Sequence, residues 1–199
     1  MFPLLETICL SDGVFLNVAL HQRRMDESAE KLFGMRLTFS LADVLRNLEA
    51  PQSGLFKCRV VYSHSDFRAE VAPYRIQPIR SLICREAGEL RYPLKYADRR
   101  ALDALFADRG SFDDVLILQN GWVTDTTYGN ICLLRQGQWY TPEKPLLHGV
   151  MRQVLLEQGV VVTKAIPAAE IATYSHFKVI NAMRNWTVEA APVENICLA

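Results

Sequence analysis

A primary amine, a carboxylate and two stretches suited to phosphate stand out in this sequence against an ordinary apolar and charged background. Lys95 lies in LKYADRR, between a proline-containing extended stretch and the first turn of a predicted helix. An amine there can attack a carbonyl carbon when its surroundings hold it neutral, although most lysines at such junctions face water. Asp125 sits at the end of a predicted strand in VTDTTYGN, among threonines and shortly before Asn130; taken alone, it reads as a solvated turn carboxylate. In LLHGVMR, Gly149 lets a ligand approach the backbone closely, and the amides of Val150 and Met151 fall in the first turn of a helix. Such amides have no acceptor within the helix and stand at its positive end, which suits phosphate. Arg24, in HQRRM, carries a guanidinium able to clamp phosphate bidentately. Two successive arginines are equally the pattern of an exposed helix face.

An amine nucleophile, an acid beyond the next hairpin and two phosphate-binding candidates are together what pyridoxal phosphate requires. The lysine forms a Schiff base with the aldehyde, the carboxylate keeps the pyridine nitrogen protonated, and the phosphate anchors the ring.

The elements that must position these residues are legible from turn chemistry and apolar spacing. Ser11-Asp12-Gly13 joins two apolar runs as a hairpin. Asn17 is expected to cap a helix with His21, Met25, Ala29 and Leu32 on one stripe and Gly34 at its end. Ser40 and Asp43 form a capping pair for a second helix. Strands are expected near 57–63 and 67–74, the latter an edge because Pro73 and Pro78 follow. The mixed stretch 81–90 reads as a linker, giving a small α+β domain over 1–82, a linker over 83–90 and a larger domain over 91–199 that carries Lys95. In that second domain a helix near 98–108 precedes DVLILQNGWVTD, an Asn-Gly hairpin. Further strands follow at 130–134, 138–140, 160–163 and 176–181, with a helix running from the LLHGVMR stretch to Gly159.

Composition limits the alternatives. Half of the 199 residues are hydrophobic, and 22 basic residues balance 22 acidic ones. A sizeable core is affordable, and no net field draws in nucleic acid or an anionic membrane. No apolar run is long enough to span a bilayer and the opening lacks signal-peptide character, so a cytoplasmic protein is expected. Cys9, Cys58, Cys84, Cys132 and Cys197 lie far apart without ligand-spaced partners, so they read as reduced thiols and no metal is expected. The absence of a G-x-S-x-G elbow argues against a hydrolase.

In order and content these motifs resemble the class IV aminotransferases, the fold-type IV pyridoxal-phosphate family that includes branched-chain and D-amino acid aminotransferases and 4-amino-4-deoxychorismate lyase. LLETICLSDGVFLNVALHQRRM is similar to the family's opening, LKYADRRALD to its Schiff-base lysine segment, and GWVTDTTYGNICLL to the strand of the pyridine-nitrogen acid. TPEKPLLHGVMRQVLL resembles its phosphate-binding helix start, and VINAMRNW its late loop near the phosphate. The resemblance implies an α+β fold of two domains, a small α/β sandwich followed by a pseudo-barrel of mixed strands. It implies a homodimer whose active sites lie between the domains, and a small amino-carboxylate substrate. It assigns Lys95 to the Schiff base and to the shuttling of the α-proton, and Asp125 to the pyridine nitrogen with Asn130 beside it. Arg24, Gly149, Val150, Met151 and the loop Asn181, Ala182 and Met183 would hold the phosphate. His148 and Arg184 are weaker candidates for contact with a substrate carboxylate.

The sequence departs from the pattern in carrying Asp125 where most members have Glu, and Ala182 where aminotransferases commonly place Thr. The Ala182 loop and the short approach to Glu6-Thr7 favour the lyase branch over the aminotransferases. A relative that keeps the fold and has lost turnover is the competing reading.

Overall fold

The computed structural model describes residues 2–198, and the chain divides into two compact units. The first runs to Ile76 and takes in Leu94–Asp98; the second comprises Gln77–Pro93 and Arg99 onward.

In the first unit β1 (Leu4–Ser11) turns back into β2 (Val14–Phe15), and α1 (Val18–Phe33) and α2 (Leu41–Arg46) follow. β3 (Leu55–Tyr62) and β4 (Phe67–Pro73) complete an antiparallel sheet of order β2-β1-β3-β4. Asp12 and Gly13, with φ of 47° and 81°, provide the left-handed pair that a tight hairpin demands. Leu4, Ile8, Cys58, Val60 and Tyr62 from the sheet meet Met25 of α1 and Leu41 of α2 in one core. Each such side chain, fully buried, contributes about 1.5–3 kcal/mol. α1 buries His21, Met25, Ser28 and Ala29, and Gly34 ends it in a left-handed conformation. Leu32, expected on that stripe, lies in the last turn and is exposed. Asn17 does not cap α1 with its side chain. It is itself left-handed, at φ 56°, and its carbonyl receives the N–H groups of Leu20 and His21. Ser40 does cap α2, accepting the Asp43 amide at 3.1 Å.

The second unit begins with β5 (Leu82–Glu86), continues through α3 (Arg100–Ala107), and forms β6 (Asp114–Gln119) and β7 (Trp122–Thr126) around Asn120-Gly121. β8 (Asn130–Arg135), β9 (Gln138–Pro142), α4 (Val150–Glu157) and β10 (Val161–Lys164) follow. β11 (His176–Ile180), β12 (Ala191–Pro192) and β13 (Ile196–Cys197) close the chain. The mixed sheet of nine strands runs β10-β9-β8-β7-β6-β5-β13, with β11 joined to β8 and β12. Its core gathers Leu82, Leu116, Ile131, Leu133, Phe177 and Val179.

The division differs from the expected one in two places. Residues 83–90 are no linker: Leu82–Glu86 is a strand pairing in parallel with β6 and β13. Its buried Leu82, Ile83 and Cys84 are the signal, and the flanking charges obscured it. Lys95, expected in the larger domain, belongs to the first unit, where its carbonyl accepts the Leu5 amide at 2.9 Å and Tyr96 bridges to Leu4. All five cysteines are free thiols, four of them buried. No helix among the described residues is long and apolar enough to cross a membrane.

Phe177 has no exposed surface and packs in the core of the second unit. Phe177→Ala is expected to lower stability by about 3–5 kcal/mol in urea unfolding; a loss below about 1 kcal/mol would mean that this core tolerates collapse at its centre.

Candidate active site

The second unit assembles the acid, the helix start and the late loop through short-range geometry. β7 and β8 pair where Asp125 stands opposite Asn130. Between them Thr126 to Gly129 form a tight turn, closed by the Thr126 amide on the Gly129 carbonyl at 2.8 Å and by the Gly129 amide on Thr126 Oγ1 at 3.1 Å. Of the threonines of VTDTTYGN, Thr126 closes the turn, Thr127 Oγ1 donates to the buried carboxylate of Asp114 at the start of β6, and Thr124 Oγ1 donates to the Ile117 carbonyl of β6 at 2.8 Å. Gly129 is needed because a Cβ there would strike the Ile180 carbonyl of β11.

Asp125 is a buried carboxylate, not a solvated one. Asn130 Nδ2 donates to its Oδ1 at 2.7 Å and the Leu147 amide to its Oδ2 at 2.9 Å. Asn130 Nδ2 also reaches the Leu147 carbonyl at 2.9 Å, so the acid, the amide side chain and the segment leading into α4 form a closed triangle. Two residues later the backbone of Gly149 passes so close to Asn130 that a Cβ would fall on Oδ1. Val150 and Met151 then open α4, a helix of 8 residues, with amides that have no intrahelical acceptor. Burial pushes the Asp125 carboxyl up to about 7, and hydrogen bonds from Leu147 and Asn130 with the charge of Arg152 offset part of that rise.

The loop after β11 comes to the same end of the sheet, because Ile180 pairs with Asn130 and Asn181 Nδ2 donates to the Tyr128 carbonyl at 2.9 Å. Asn181 Oδ1 accepts the amides of Met183 and Arg184 at 2.9 and 3.0 Å. Within the Asn181–Met183 loop, the Met183 amide is thus engaged in its own turn. Arg184 is buried, with Nε on the Val179 carbonyl and Nη1 on that of Gln77, which is a backbone-bracing arrangement. His148 is exposed.

The first unit holds the other two expected residues. Arg24 meets Glu6 bidentately, Nε to Oε1 at 2.8 Å and Nη2 to Oε2 at 2.6 Å, and His21 Nδ1 lies 2.6 Å from Oε2. Glu6 and His21 have no exposed surface. Burial alone would push Glu6 up, but Arg24 and His21 more than offset it and hold the carboxyl at about 2. Arg24 is therefore oriented by a buried anion, Glu6, which His21 also meets; a Glu in a strand and a His on an apolar helix stripe give no local signal of this pairing. The neighbouring residue on β1, Leu5, is the one tied to the Lys95 carbonyl.

The chain has six lysines. Lys57, Lys164 and Lys178 lie over aromatic rings, Lys178 at 4.4 Å from the Trp186 centroid, and Lys31 and Lys144 are exposed. Lys95 is half-buried on the segment that returns to β1.

The mixed α+β architecture, two sheets with few helices, matches fold-type IV enzymes. The chain belongs to the amino-transferase class IV family, whose model matches residues 3–190. It is 35% identical over 186 residues to an uncharacterised protein of Haemophilus influenzae, covering 92% of this chain and 98% of that one. A crystal structure from Haemophilus somnus, of a protein provisionally assigned as a 4-amino-4-deoxychorismate lyase, is similar with a TM-score of 0.89 and 34% identity. That match covers 93% of this chain and 98% of the other. A hypothetical aminotransferase of Mycobacterium tuberculosis in its pyridoxal-phosphate-bound form shares the fold with a TM-score of 0.80 and 19% identity, over 98% of this chain and 81% of that one.

The Glu6 network fixes the sign of an acid dependence. Its folded-state value lies below the ordinary 4.5, so its contribution is fully present above that value and is lost as pH falls toward 2. The wild type should lose roughly 3 kcal/mol of stability between pH about 5 and about 2 from this group. Glu6→Gln should be less stable near neutrality and flatter over that window in urea unfolding; parallel curves would contradict the network. At the other cluster, Gly149→Ala should cost about 1–3 kcal/mol because the new methyl overlaps Asn130. An unchanged unfolding midpoint would show that the α4 entry has room to shift.

Proposed function

We propose that this chain is a pyridoxal-phosphate enzyme acting on a small amino-carboxylate substrate, and that its reaction is the lyase type, releasing pyruvate from 4-amino-4-deoxychorismate. The observation that carries the cofactor reading is Asp125: a buried carboxylate, aimed by Asn130 and the Leu147 amide, with its acidity weakened by burial. A protonated pyridine nitrogen is a cation that can donate its N–H to such a carboxylate. The α4 amides, which call for an anion, complete the donor set, so the residues present fit the cofactor.

When bound, the cofactor supplies an electron sink for the carbanion formed at the substrate α-carbon. Asp125 would hold a proton at the ring nitrogen, which keeps that sink effective. Val150 and Met151 would bind the phosphate through their amides, with Gly149 allowing the close approach and the Asn181 turn bordering the same end of the sheet. Lys95 would hold the aldehyde carbon through its amine, and Nζ would then move the α-proton. Arg24, oriented by Glu6, is a further phosphate candidate. The preference for elimination over transamination is supported by the Haemophilus somnus relative, whose similarity runs over nearly both whole chains, and by Ala182 in the late loop. A homodimer is part of the same proposal.

The test is a product assay on the purified protein supplied with pyridoxal phosphate. Pyruvate and 4-aminobenzoate should form from 4-amino-4-deoxychorismate, and Lys95→Ala should lower the rate by at least about 100-fold. Keto-acid production from amino acids without pyruvate release would overturn the lyase reading and favour the aminotransferase. Cofactor colour without turnover of either substrate class would favour a binding protein.

A further inference from the structure

Arg152 is the third residue of α4 and is 5% exposed. Nη2 donates to the Pro142 carbonyl at the end of β9 at 2.8 Å, while Nε, also buried, has no hydrogen-bond partner. Among the described residues no carboxylate is in ion-pair contact with it. A buried guanidinium braced by one carbonyl is costly unless a negative charge lies near enough to act through space. The groups that its charge acts on are Asp125 of β7 and Cys132 of β8. The Cys132 thiol, pushed up to about 12 chiefly by burial, is neutral and supplies no charge. Lys178 of β11 faces the same thiol and adds only positive charge, and Thr141 of β9 spends its hydroxyl on the Ile131 carbonyl at 2.9 Å. Asp125 is thus the acid of this cluster that can answer the charge of Arg152, and the two are joined through one packed segment: the Gly149 backbone lies against both Asn130 Oδ1 and the Arg152 side chain, and Asn130 Nδ2 donates to Asp125 at 2.7 Å.

We propose that Arg152 is a positioning residue whose buried guanidinium, braced on the Pro142 carbonyl, keeps the carboxylate of Asp125 ionised and ready for a cationic ring nitrogen. The first turn of α4 thus brings to the acid a charge of its own. Its meaning for the cofactor rests on the functional reading above; the pairing of the two charges does not.

The test is a titration of Asp125 in the full chain dialysed free of small molecules, followed by carbon NMR of labelled aspartate carboxyls and assigned with Asp125→Asn. Arg152→Met should raise the midpoint by about one pH unit, a tenfold change in proton affinity, and Arg152→Lys should return it most of the way. A midpoint unmoved by Arg152→Met overturns the proposal. If Arg152→Met fails to fold, the double variant Arg152→Met/Asp125→Asn decides: recovery of folding when both charges are gone supports the pair, and a double variant equally unfolded shows that the arginine acts by packing alone. Affinity for pyridoxal phosphate separates the two readings. A wild type that binds none, with the titration shift intact, would remove the functional reading and leave this one standing.

Discussion

The site end of the second unit is organised around the carboxylate of Asp125, which is taken out of water. Asp125 can be buried because three neighbours meet its oxygens or its charge: Asn130 across the strand pair, the Leu147 amide ahead of α4, and Arg152 within α4. Each of these ties a different element to one point. The consequence is mechanical as well as electrostatic. The triangle of Asp125, Asn130 and Leu147 sets where the helix begins, and Gly149 is held to a hydrogen side chain because Asn130 occupies the space a methyl would need. The turn of Thr126 to Gly129, anchored on Asp114, aligns Asp125 with Asn130. Replacing the usual Glu by Asp shortens the side chain, and the closed triangle shows how the shorter acid is nonetheless fixed in direction.

The first unit solves a related problem with a different balance. Glu6 is equally buried, yet it meets a guanidinium and an imidazole directly, and its acidity is strengthened instead of weakened. Such a pair is worth little as net stability when compared with an apolar core, but losing one partner strands the other. Its value lies in holding Arg24 in one orientation beside β1, the strand to which the Lys95 segment is tied. One buried acid is thus a fixed anion that aims a cation, and the other is an anion held near the point of losing its charge. Two carboxylates acquire different chemistry from their surroundings.

Local chemistry made much of the fold readable. Asp12-Gly13 and Asn120-Gly121 each declared a hairpin, and Ser40 with Asp43 declared a helix start, because their signals depend on residues a few positions apart. What escaped depends on distant partners. β5 pairs only with strands far along the chain, so its charged flanks read as a linker. Asn17 has the composition of a cap but takes a left-handed conformation instead. At the site, Asp125, Asn130 and Gly149 were legible as residue types, and the structure gives them their geometry. Arg152 was not: in LLHGVMRQV a basic residue in the first helical turn has the pattern of a solvated one, and only the position of Pro142 on another strand reveals it as buried. For Arg184, too, the neighbours in sequence say nothing of the Gln77 carbonyl that it braces.

The most direct measurement of the central claim is the identity of the amine that captures the cofactor. Protein incubated with pyridoxal phosphate, reduced with borohydride and digested should yield the cofactor label on the peptide containing Lys95, with the other five lysines unmodified. A label distributed over Lys31 and Lys144, the exposed amines, or absent from Lys95 altogether, would contradict the account.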